Sequence, residues 1–409
     1  MGDDVSFDHQ DPAVVADPYP AFDRLRVTGE FHPLFGMPTA VTYAAASVVL
    51  RDRRLGRIWH DFVPEDRFAE VNLIHRHNMM EMEDGHERVR SIIGSVLGRD
   101  RLAAIEPRIE AHATAMAAAL RDRIRDGGTG CTGDAVRLLA DPLPVAVIGD
   151  LLGIPPQDGP LLQGWSNAIV KLYEVGIDEQ TRDAAATAGR EFVGYLRDLV
   201  RDKTANPADD VLSDMIVARS RTGERLRDEE IIANAAVLHM AGHEATVNAI
   251  GNSLYALLRQ PRHWHYYRTE LMPDEHRVSR AIDELLRFDT PNPFFGREVI
   301  EPITIAGHDF EPGQRVGVLL ASANNDPLVF ANPRELDLDR VARPHASFGG
   351  GIHYCIGAVL AKRELRSALA ATARVLPGLR LAEEPRRRPE FFIRGFRSLE
   401  LTTGEDSRA

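Results

Sequence analysis

One short segment, FGGGIHYCIG at residues 348–357, contains Cys355, one of only two cysteines in the chain. The three glycines before it permit positive φ angles and let the backbone approach a flat ligand closely. The residues that follow have a helical pattern, which predicts a helix from Ile356 to about Val375. At the amino end of a helix, unpaired N–H groups and the helix dipole lower the pKa of a thiol. We therefore predict that Cys355 is a thiolate that binds a metal.

Three other kinds of site fit this segment less well. A zinc site needs about four ligands, and His345, His353 and Cys355 are the only candidates nearby. A phosphate-binding loop needs Gly-Lys-Ser/Thr, or a final glycine where Tyr354 stands. An inert buried residue is the ordinary alternative for a lone cysteine, and the neighbouring glycines argue against it.

Two pairs of charged residues also have helical spacing. Glu284 and Arg287 are three residues apart, and His86 and Arg90 are four apart, so each pair lies on one side of a helix. His86 and Arg90 could grip one anionic group together. Taken alone, either pair is equally consistent with an ordinary solvated surface.

The elements that must position these residues are mostly helical. The apolar, proline-free run from Asp228 to about Arg259 predicts a helix roughly 45 Å long that passes through the protein interior. Spacing from Glu87 to about Leu258 is mostly helical, and short strand patterns follow Arg287. The predicted fold class is mainly α with smaller β regions (α+β). Without repeats or linkers, residues 1–409 are predicted to form a single domain.

Composition restricts the partners. The formal charge of -12, without a run of Lys and Arg, argues against nucleic acid or an anionic membrane as the main partner. Two cysteines are too few for a disulfide framework, which fits a reducing compartment. No apolar stretch approaches the roughly 20 residues of a membrane helix. We expect a cytoplasmic protein that acts on small molecules and contacts other proteins.

The cysteine segment resembles the haem-binding signature of the cytochrome P-450 family, Phe-x-x-Gly-x-His-x-Cys-x-Gly. Its fixed positions are occupied by Phe348, Gly351, His353, Cys355 and Gly357. The resemblance implies a P-450 fold with haem b between the long central helix and the cysteine-loop helix. It also implies that Cys355 is the iron ligand, that Phe348 packs against the loop, that His353 reaches a propionate, and that Gly357 belongs to the cofactor site.

Other segments resemble the same family. Glu284-x-x-Arg287 matches a motif on a buried helix, which implies a structural role for both residues. His86, Arg90 and Arg297 resemble the residues that bind the haem propionates. The segment FANPRELDLDR, residues 330–340, resembles the irregular stretch that precedes the cysteine loop.

The central helix contains AGHEAT, residues 241–246, which resembles the oxygen-binding stretch of the family, commonly Ala-Gly-x-Asp/Glu-Thr-Thr. The resemblance implies that Ala241 and Gly242 leave room for dioxygen and that Glu244 supplies protons. Ala245 stands where the family usually has a threonine, and Thr246 is offset by about 100° around the helix. Either a substrate hydroxyl, or a water that it positions, replaces the missing alcohol, or ordered water alone suffices. Oxidative coupling without oxygen insertion is a third alternative.

The family pattern also implies a substrate pocket. Each of its residues is as consistent with plain core as with a pocket wall, and the predicted members are Met79, Met80, Leu238, Ala241, Phe294, Phe295 and Phe392. Methionines and aromatic rings would suit a small hydrophobic substrate, partly aromatic or alicyclic.

The resemblance implies a haem-thiolate monooxygenase that uses O2 as co-substrate. No flavin or nicotinamide fingerprint is found, so we expect electrons from NAD(P)H to arrive through a separate ferredoxin reductase and ferredoxin. Cations near the predicted thiolate side could steer an acidic ferredoxin, namely Arg88, Lys362, Arg363 and Arg366. The alternatives are phenol or C–C coupling on the same haem, and a haem-binding sensor that does not turn over.

Overall fold

The computed structural model describes residues 7–82, 85–126, 131–174 and 176–404, most of which lie in helices. The α-helices are α1 (Pro12–Ala16), α2 (Tyr19–Thr28), α3 (Tyr43–Arg51), α4 (Ala69–Arg76), α5 (His86–Val96), α6 (Arg99–Asp126), α7 (Pro142–Leu152), α8 (Gly159–Val170), α9 (Glu179–Ala205), α10 (Val211–Val217), α11 (Asp228–Leu258), α12 (Pro261–Tyr266), α13 (Glu275–Phe288), α14 (Leu320–Ala323) and α15 (Ala358–Val375). The predicted central helix and cysteine-loop helix are therefore confirmed as α11 and α15, each within two residues of its predicted ends.

The strands are short and form three small sheets. They are β1 (Phe31–Leu34), β2 (Met37–Ala40), β3 (Leu55–Gly56), β4 (Gly133–Asp134), β5 (Phe294–Val299), β6 (Ile303–Ile305), β7 (His308–Phe310), β8 (Arg315–Leu319), β9 (Leu379–Leu381) and β10 (Glu400–Thr403). Strand orders are β1-β2-β8-β5-β3, β4-β10-β9 and β6-β7. The predicted class, mainly α with smaller β regions, is confirmed.

The chain divides into two compact units. Unit 1 comprises the residues up to Gly56, Glu110–Leu143 and those from Ala245 onward, and unit 2 comprises Arg57–Ile109 and Pro144–Glu244. Helices α6, α7 and α11 have residues in both units. That the whole chain behaves as one domain stays a prediction.

Unit 1 holds every strand that the structure describes. In its five-stranded sheet β5 runs antiparallel to β8, with Arg297 opposite Val316. Because successive side chains of a strand point to opposite faces, Phe294 and Phe295 belong to different hydrophobic clusters. Phe294 packs with the cluster around Phe22, whereas Phe295 packs with the cluster around Val318.

Unit 2 consists of helices joined by loops, with no strand among its described residues. Helices α8 and α9 pack together, with the Trp165 and Phe192 ring centroids 6.1 Å apart. Gly189 on α9 lets α4 approach closely, since a Cβ at this position would lie 2.6 Å from Cγ2 of Val71. Small residues on helix faces are what such close packing requires.

The burial of α11 explains its apolar sequence. Residues 231–240 and 246–258 are all buried, which leaves no polar face for the helix to present to solvent. A helix apolar on all sides is stable only inside a protein. The prediction that this helix passes through the interior is confirmed.

A buried ion pair on α13 organises the irregular part of unit 1. Arg287 is 1% exposed and donates from Nε and Nη2 to the two carboxylate oxygens of Glu284, at 2.7 and 2.8 Å. Its guanidinium also donates to the backbone carbonyls of Asn324 and Pro333. Glu284 accepts a further hydrogen bond from Nε of Arg340, at 3.0 Å. Burying these charges is tolerated because nearly every donor and acceptor is paired.

We predict that Arg287→Met lowers the free energy of unfolding by about 3–5 kcal/mol, because Glu284 then keeps an incompletely compensated buried charge. Arg287→Lys should lie between Met and wild type, since it keeps the charge and loses the planar fork. Denaturant unfolding measures all three proteins.

The matched control is Arg277→Met on the same helix, whose partner Asp339 lies 3.0 Å away at the surface. Exposed pairs contribute little to stability, so this variant should lose far less than Arg287→Met. The prediction is also met if Arg277→Met folds normally and Arg287→Met gives no folded protein. Equal losses of unfolding free energy in the two variants would contradict it.

Candidate functional site

The cysteine loop is held in place by its own backbone. The Cys355 N–H donates to the carbonyl of Phe348 at 2.9 Å, and the Gly349 N–H donates to that of Ala346 at 2.8 Å. Helix α15 begins at Ala358, two residues later than predicted, because residues 356–357 form a turn. Cys355 thus directly precedes the first helical turn, with its side chain exposed.

The glycines of the loop have a role that the sequence analysis did not identify. Gly349 and Gly351 adopt φ of +69° and +63°, a conformation that disfavours other residues. A Cβ on Gly351 would lie 2.6 Å from the carbonyl oxygen of Leu50 and 2.8 Å from Cα of Arg51. Gly351 therefore lets the loop rest on the end of α3, in addition to any approach to a ligand.

The space beside the sulfur fits a flat, metal-bound ligand. A Cβ on Gly357 would lie 3.9 Å from Sγ of Cys355 and would meet no other described atom more closely. Nothing within the described chain thus requires a glycine at this position. An exposed thiol bordered by a glycine on its helix side is a group that could hold a haem iron as a thiolate. The described residues contain no group of three or more His, Cys, Asp and Glu side chains arranged to hold a metal ion.

Phe348 packs against other residues of the cysteine loop. Its ring centroid lies 5.7 Å from that of His345 and 6.2 Å from that of Tyr354. The Lys362 ammonium lies 5.6 Å from the centre of the same ring. The ring thus fills the turn that carries Cys355.

Asn324 is a site residue that the sequence analysis missed. It is fully buried, and its Nδ2 donates to Oγ1 of Thr290 at 2.7 Å and to Oγ of Ser347 at 2.8 Å. Its Oδ1 accepts from the N–H of Ala346, and its backbone carbonyl accepts from Arg287. Asn324 therefore connects the buried ion pair to the start of the cysteine loop. No spacing in the sequence marks it, because its partners lie far away in the chain.

The predicted propionate ligands lie in both units. In unit 1, Arg297 on β5 is 5% exposed and donates to the carbonyl of Gly296, and His353 ends the short helical turn Gly351–His353. In unit 2, His86 and Arg90 lie one turn apart on α5. Burial and the positive charge of Arg90 hold the pKa of His86 below its ordinary value. The role of all four in binding propionates stays a prediction.

One short stretch of α11 is accessible within an otherwise buried helix. Between residues 231 and 258, only Ala241, Gly242, Glu244 and Ala245 are not buried. Positions i, i+3 and i+4 share a face, so Ala241, Glu244 and Ala245 lie on one side of the helix. Thr246 is 4% exposed and lies apart from them.

Gly242 has a packing reason to be small. A Cβ there would lie 3.0 Å from Cδ1 of Ile148 on α7, within unit 2. Contacts this short force a neighbour to move. The close approach of α7 is therefore a second reason for a glycine at position 242, in addition to the predicted space for dioxygen.

The predicted pocket residues separate into different environments. Phe294 and Phe392 share an aromatic cluster with Phe35, with centroids 4.7–5.5 Å apart, and Phe295 lies on the other face of β5. Of the residues predicted in unit 2, Met79 and Leu238 are 4% and 7% exposed, so they are mainly core, and Met80 is half-buried.

The cations predicted to attract a ferredoxin are largely engaged in ion pairs. Lys362 lies 2.5 Å from Asp283 and Arg366 lies 2.5 Å from Glu275, both in unit 1. In unit 2, Arg88 pairs with the buried carboxylate of Glu230 at 2.5 Å. Such pairing reduces the positive field that these residues can offer to a partner.

Comparison with known proteins gives a consistent result. The family model described as cytochrome P450 matches residues 177–388. The cytochrome P450 monooxygenase PikC of Streptomyces venezuelae is 33% identical over 94% of this chain and 91% of its own length. Vitamin D(3) 25-hydroxylase of Pseudonocardia autotrophica is 34% identical over 96% and 95%. The structure of the cytochrome P450 PksS of Bacillus subtilis 168 superposes with a TM-score of 0.85 at 27% identity, covering 98% of this chain and 100% of its own.

Among the residues that the structure describes, no helix combines the length and apolar character needed to cross a bilayer.

We predict that Gly351→Ala weakens both folding and haem retention. A left-handed alanine costs about 1–2 kcal/mol, and the clash with Leu50 and Arg51 should add about 1–3 kcal/mol. The control is Gly313→Ala, where φ is +84° but no described atom lies within 4 Å of the added Cβ. Denaturant unfolding and the ratio of haem to protein after purification measure the effect. Equal losses in the two variants would show that the contact with α3 does not constrain the loop.

Proposed function

We propose, from the premise that this chain belongs to the cytochrome P450 family and is an oxidoreductase, that it inserts one oxygen atom from O2 into a hydrophobic substrate. The observation that carries the proposal is the exposed Cys355 side chain on a glycine-rich loop with a fixed backbone, directly before the first turn of α15.

We propose that the Cys355 thiolate holds haem b by its iron, and that Arg297, His353, His86 and Arg90 bind the two propionates. A haem ligated by thiolate supplies the activation of dioxygen. The residues of the chain supply position and charge. Burial and Arg90 keep His86 neutral near pH 7, so His86 would act as a hydrogen-bond donor and Arg90 as the charged partner.

Glu244 is the proposed source of protons. Its carboxyl group lies on the accessible face of α11, beside Ala245, and is half-buried. An acid at such a position can exchange a proton with water on one side and deliver it on the other. Ala245 offers no hydroxyl. We propose that a hydroxyl on the substrate, or a water that the substrate positions, supplies the hydrogen bond that a threonine hydroxyl would make at this position.

We propose a hydrophobic substrate, with specialised metabolism as its setting. The matched relatives include proteins named as vitamin D(3) 25-hydroxylase and cyclomarin C epoxidase. The aromatic cluster of Phe35, Phe294 and Phe392 would suit a hydrophobic molecule.

Electrons would come from NAD(P)H through a ferredoxin reductase and a ferredoxin. Arg363 is the fourth of the predicted cations, and we propose that it contributes to docking together with the other three. The cytoplasmic location stays a prediction from the sequence.

Cys355→Ser tests the family chemistry directly. The carbon monoxide complex of reduced wild-type protein should show the strongly red-shifted Soret band typical of thiolate ligation, and Cys355→Ser should lose it. Cys131→Ser is the control, because Cys131 is the other cysteine and should leave the band unchanged. Retention of the band in Cys355→Ser would overturn the assignment.

Ala245→Thr tests how the missing alcohol is replaced. We expect the variant to raise the fraction of electrons recovered in product for substrate analogues that lack the hydroxyl, and to change it little for the hydroxylated substrate. NAD(P)H consumed, product formed and hydrogen peroxide released give that fraction.

Ala245→Val is the matched control for this measurement, because valine has nearly the shape of threonine and lacks the hydroxyl. Coupling that is unchanged by Ala245→Thr with every substrate would leave ordered water as the explanation. Product that has lost hydrogen without gaining oxygen would instead identify oxidative coupling, and no substrate-dependent use of reduced ferredoxin would identify a sensor.

A further inference from the structure

A positively charged side chain in unit 2 lacks a carboxylate partner. Arg57 is half-buried, and the only hydrogen bond of its side chain among the described residues runs from Nη1 to the sulfur of Met80, at 3.4 Å. A thioether is a weak acceptor, whereas a guanidinium has five N–H donors. No described Asp or Glu lies within ion-pair distance of Arg57, in contrast to Arg67, Arg76 and Arg88 of the same unit.

The surroundings of Arg57 are rich in donors and apolar surface. Trp59 stacks on His75 with centroids 3.9 Å apart, and Nε1 of Trp59 is buried without a hydrogen-bond partner among the described residues. The hydroxyl oxygen of Tyr173 lies 2.7 Å from Nε2 of His75. We call Arg57, Trp59, His75 and Tyr173 the Arg57 cluster.

Arg57 is the positively charged member of the Arg57 cluster near pH 7. Burial and the charge of Arg57 lower the pKa of His75 to about 3, so the imidazole is neutral near pH 7. Glu81 lies within electrostatic reach of Arg57, but one of its carboxylate oxygens accepts from the N–H of Met82 at 2.8 Å. Tyr173 lies within electrostatic reach of Glu244. Glu244 of α11 therefore lies near the cluster within the same unit.

A half-buried guanidinium without a carboxylate is costly unless a ligand pairs with it. A carboxylate is the group that best matches the fork of an arginine, through two parallel hydrogen bonds. The unpaired indole N–H adds a further donor, and Met80 and Trp59 offer apolar surface to the rest of the ligand.

We propose that the Arg57 cluster binds the carboxylate of the substrate, so that the preferred substrate is an apolar molecule carrying one acid group. This inference rests on the proposed monooxygenase function and narrows its substrate class. Arg57 thus determines specificity by holding the polar end of the substrate, and takes no part in the chemistry.

The test compares acids with their primary amides on the haem-loaded protein. Dodecanoate and 1-adamantanecarboxylate, each beside its amide, represent a chain and a cage of similar apolarity. Isothermal titration at pH 7.5, where the acids are ionised, gives each dissociation constant. We expect at least one of the two acids to bind tenfold or more tightly than its amide.

Arg57→Met, which keeps the length of the side chain and removes its charge, should abolish that preference while changing amide binding by less than threefold. Arg76→Met is the matched control, since Arg76 is already paired with Asp61 and Glu65 in the same unit, and it should keep the full preference. Arg57→Lys should keep part of it, because the charge remains and the fork is lost.

The melting temperature is a second measurement, and it distinguishes ligand binding from a purely structural role of Arg57. Removing a charge without a partner should leave the melting temperature of Arg57→Met equal to or above that of wild type, whereas a structural arginine would lower it. The acid should raise the melting temperature of wild type and not that of Arg57→Met.

Several results would overturn the proposal: equal binding of acid and amide on both scaffolds, no binding of either acid, or an acid preference that survives Arg57→Met. Failure of the proposed function has a different signature, because the carbon monoxide spectrum of the same wild-type protein would then lack the thiolate band whatever the ligands do.

Discussion

A buried guanidinium, that of Arg287, imposes the constraint on which the rest of unit 1 depends. Once removed from water, its donors must all be satisfied by protein atoms, and the structure meets this need with Glu284 and the carbonyls of Asn324 and Pro333. Those carbonyls belong to irregular backbone, which lacks the repeating backbone hydrogen bonds of a helix or a sheet. The same Asn324 holds the backbone of Ala346. The ion pair therefore determines the path of the chain that leads into the cysteine loop.

The loop shows how one residue type serves two needs. Glycine before Cys355 is explained from sequence by the approach of a flat ligand, and Gly351 is also required by the carbonyl of Leu50 at the end of α3. Gly242 on α11 is likewise required by Ile148. In both cases the small residue is set by packing on one side of the backbone, which leaves the other side for chemistry. The presence of a glycine in the sequence therefore does not show whether packing or the approach of a ligand requires it.

Charge pairing separates structural cations from the one proposed to bind a ligand. Arg287, Arg88 and Lys362 each have a carboxylate within ion-pair distance, and their positive charge is largely used within the fold. Arg57 has none among the described residues. Because a desolvated charge without a partner destabilises a protein, the reason for an arginine at this position lies outside folding. Recognition of an acid group on the substrate is the reason that we propose.

The sequence alone determined the fold class, the extent of α11 and α15 within two residues, and the cysteine segment, because periodicity and local motifs are properties of neighbouring residues. It also placed Glu284 beside Arg287 and Glu244 beside Ala245, since helical spacing sets those distances. Tertiary structure alone decided the roles of Asn324 and Arg340, the separation of Phe294 from Phe295 and the isolation of Arg57. Each of these depends on partners that lie far away in the chain or on which strand face meets the core, and local patterns do not encode such contacts.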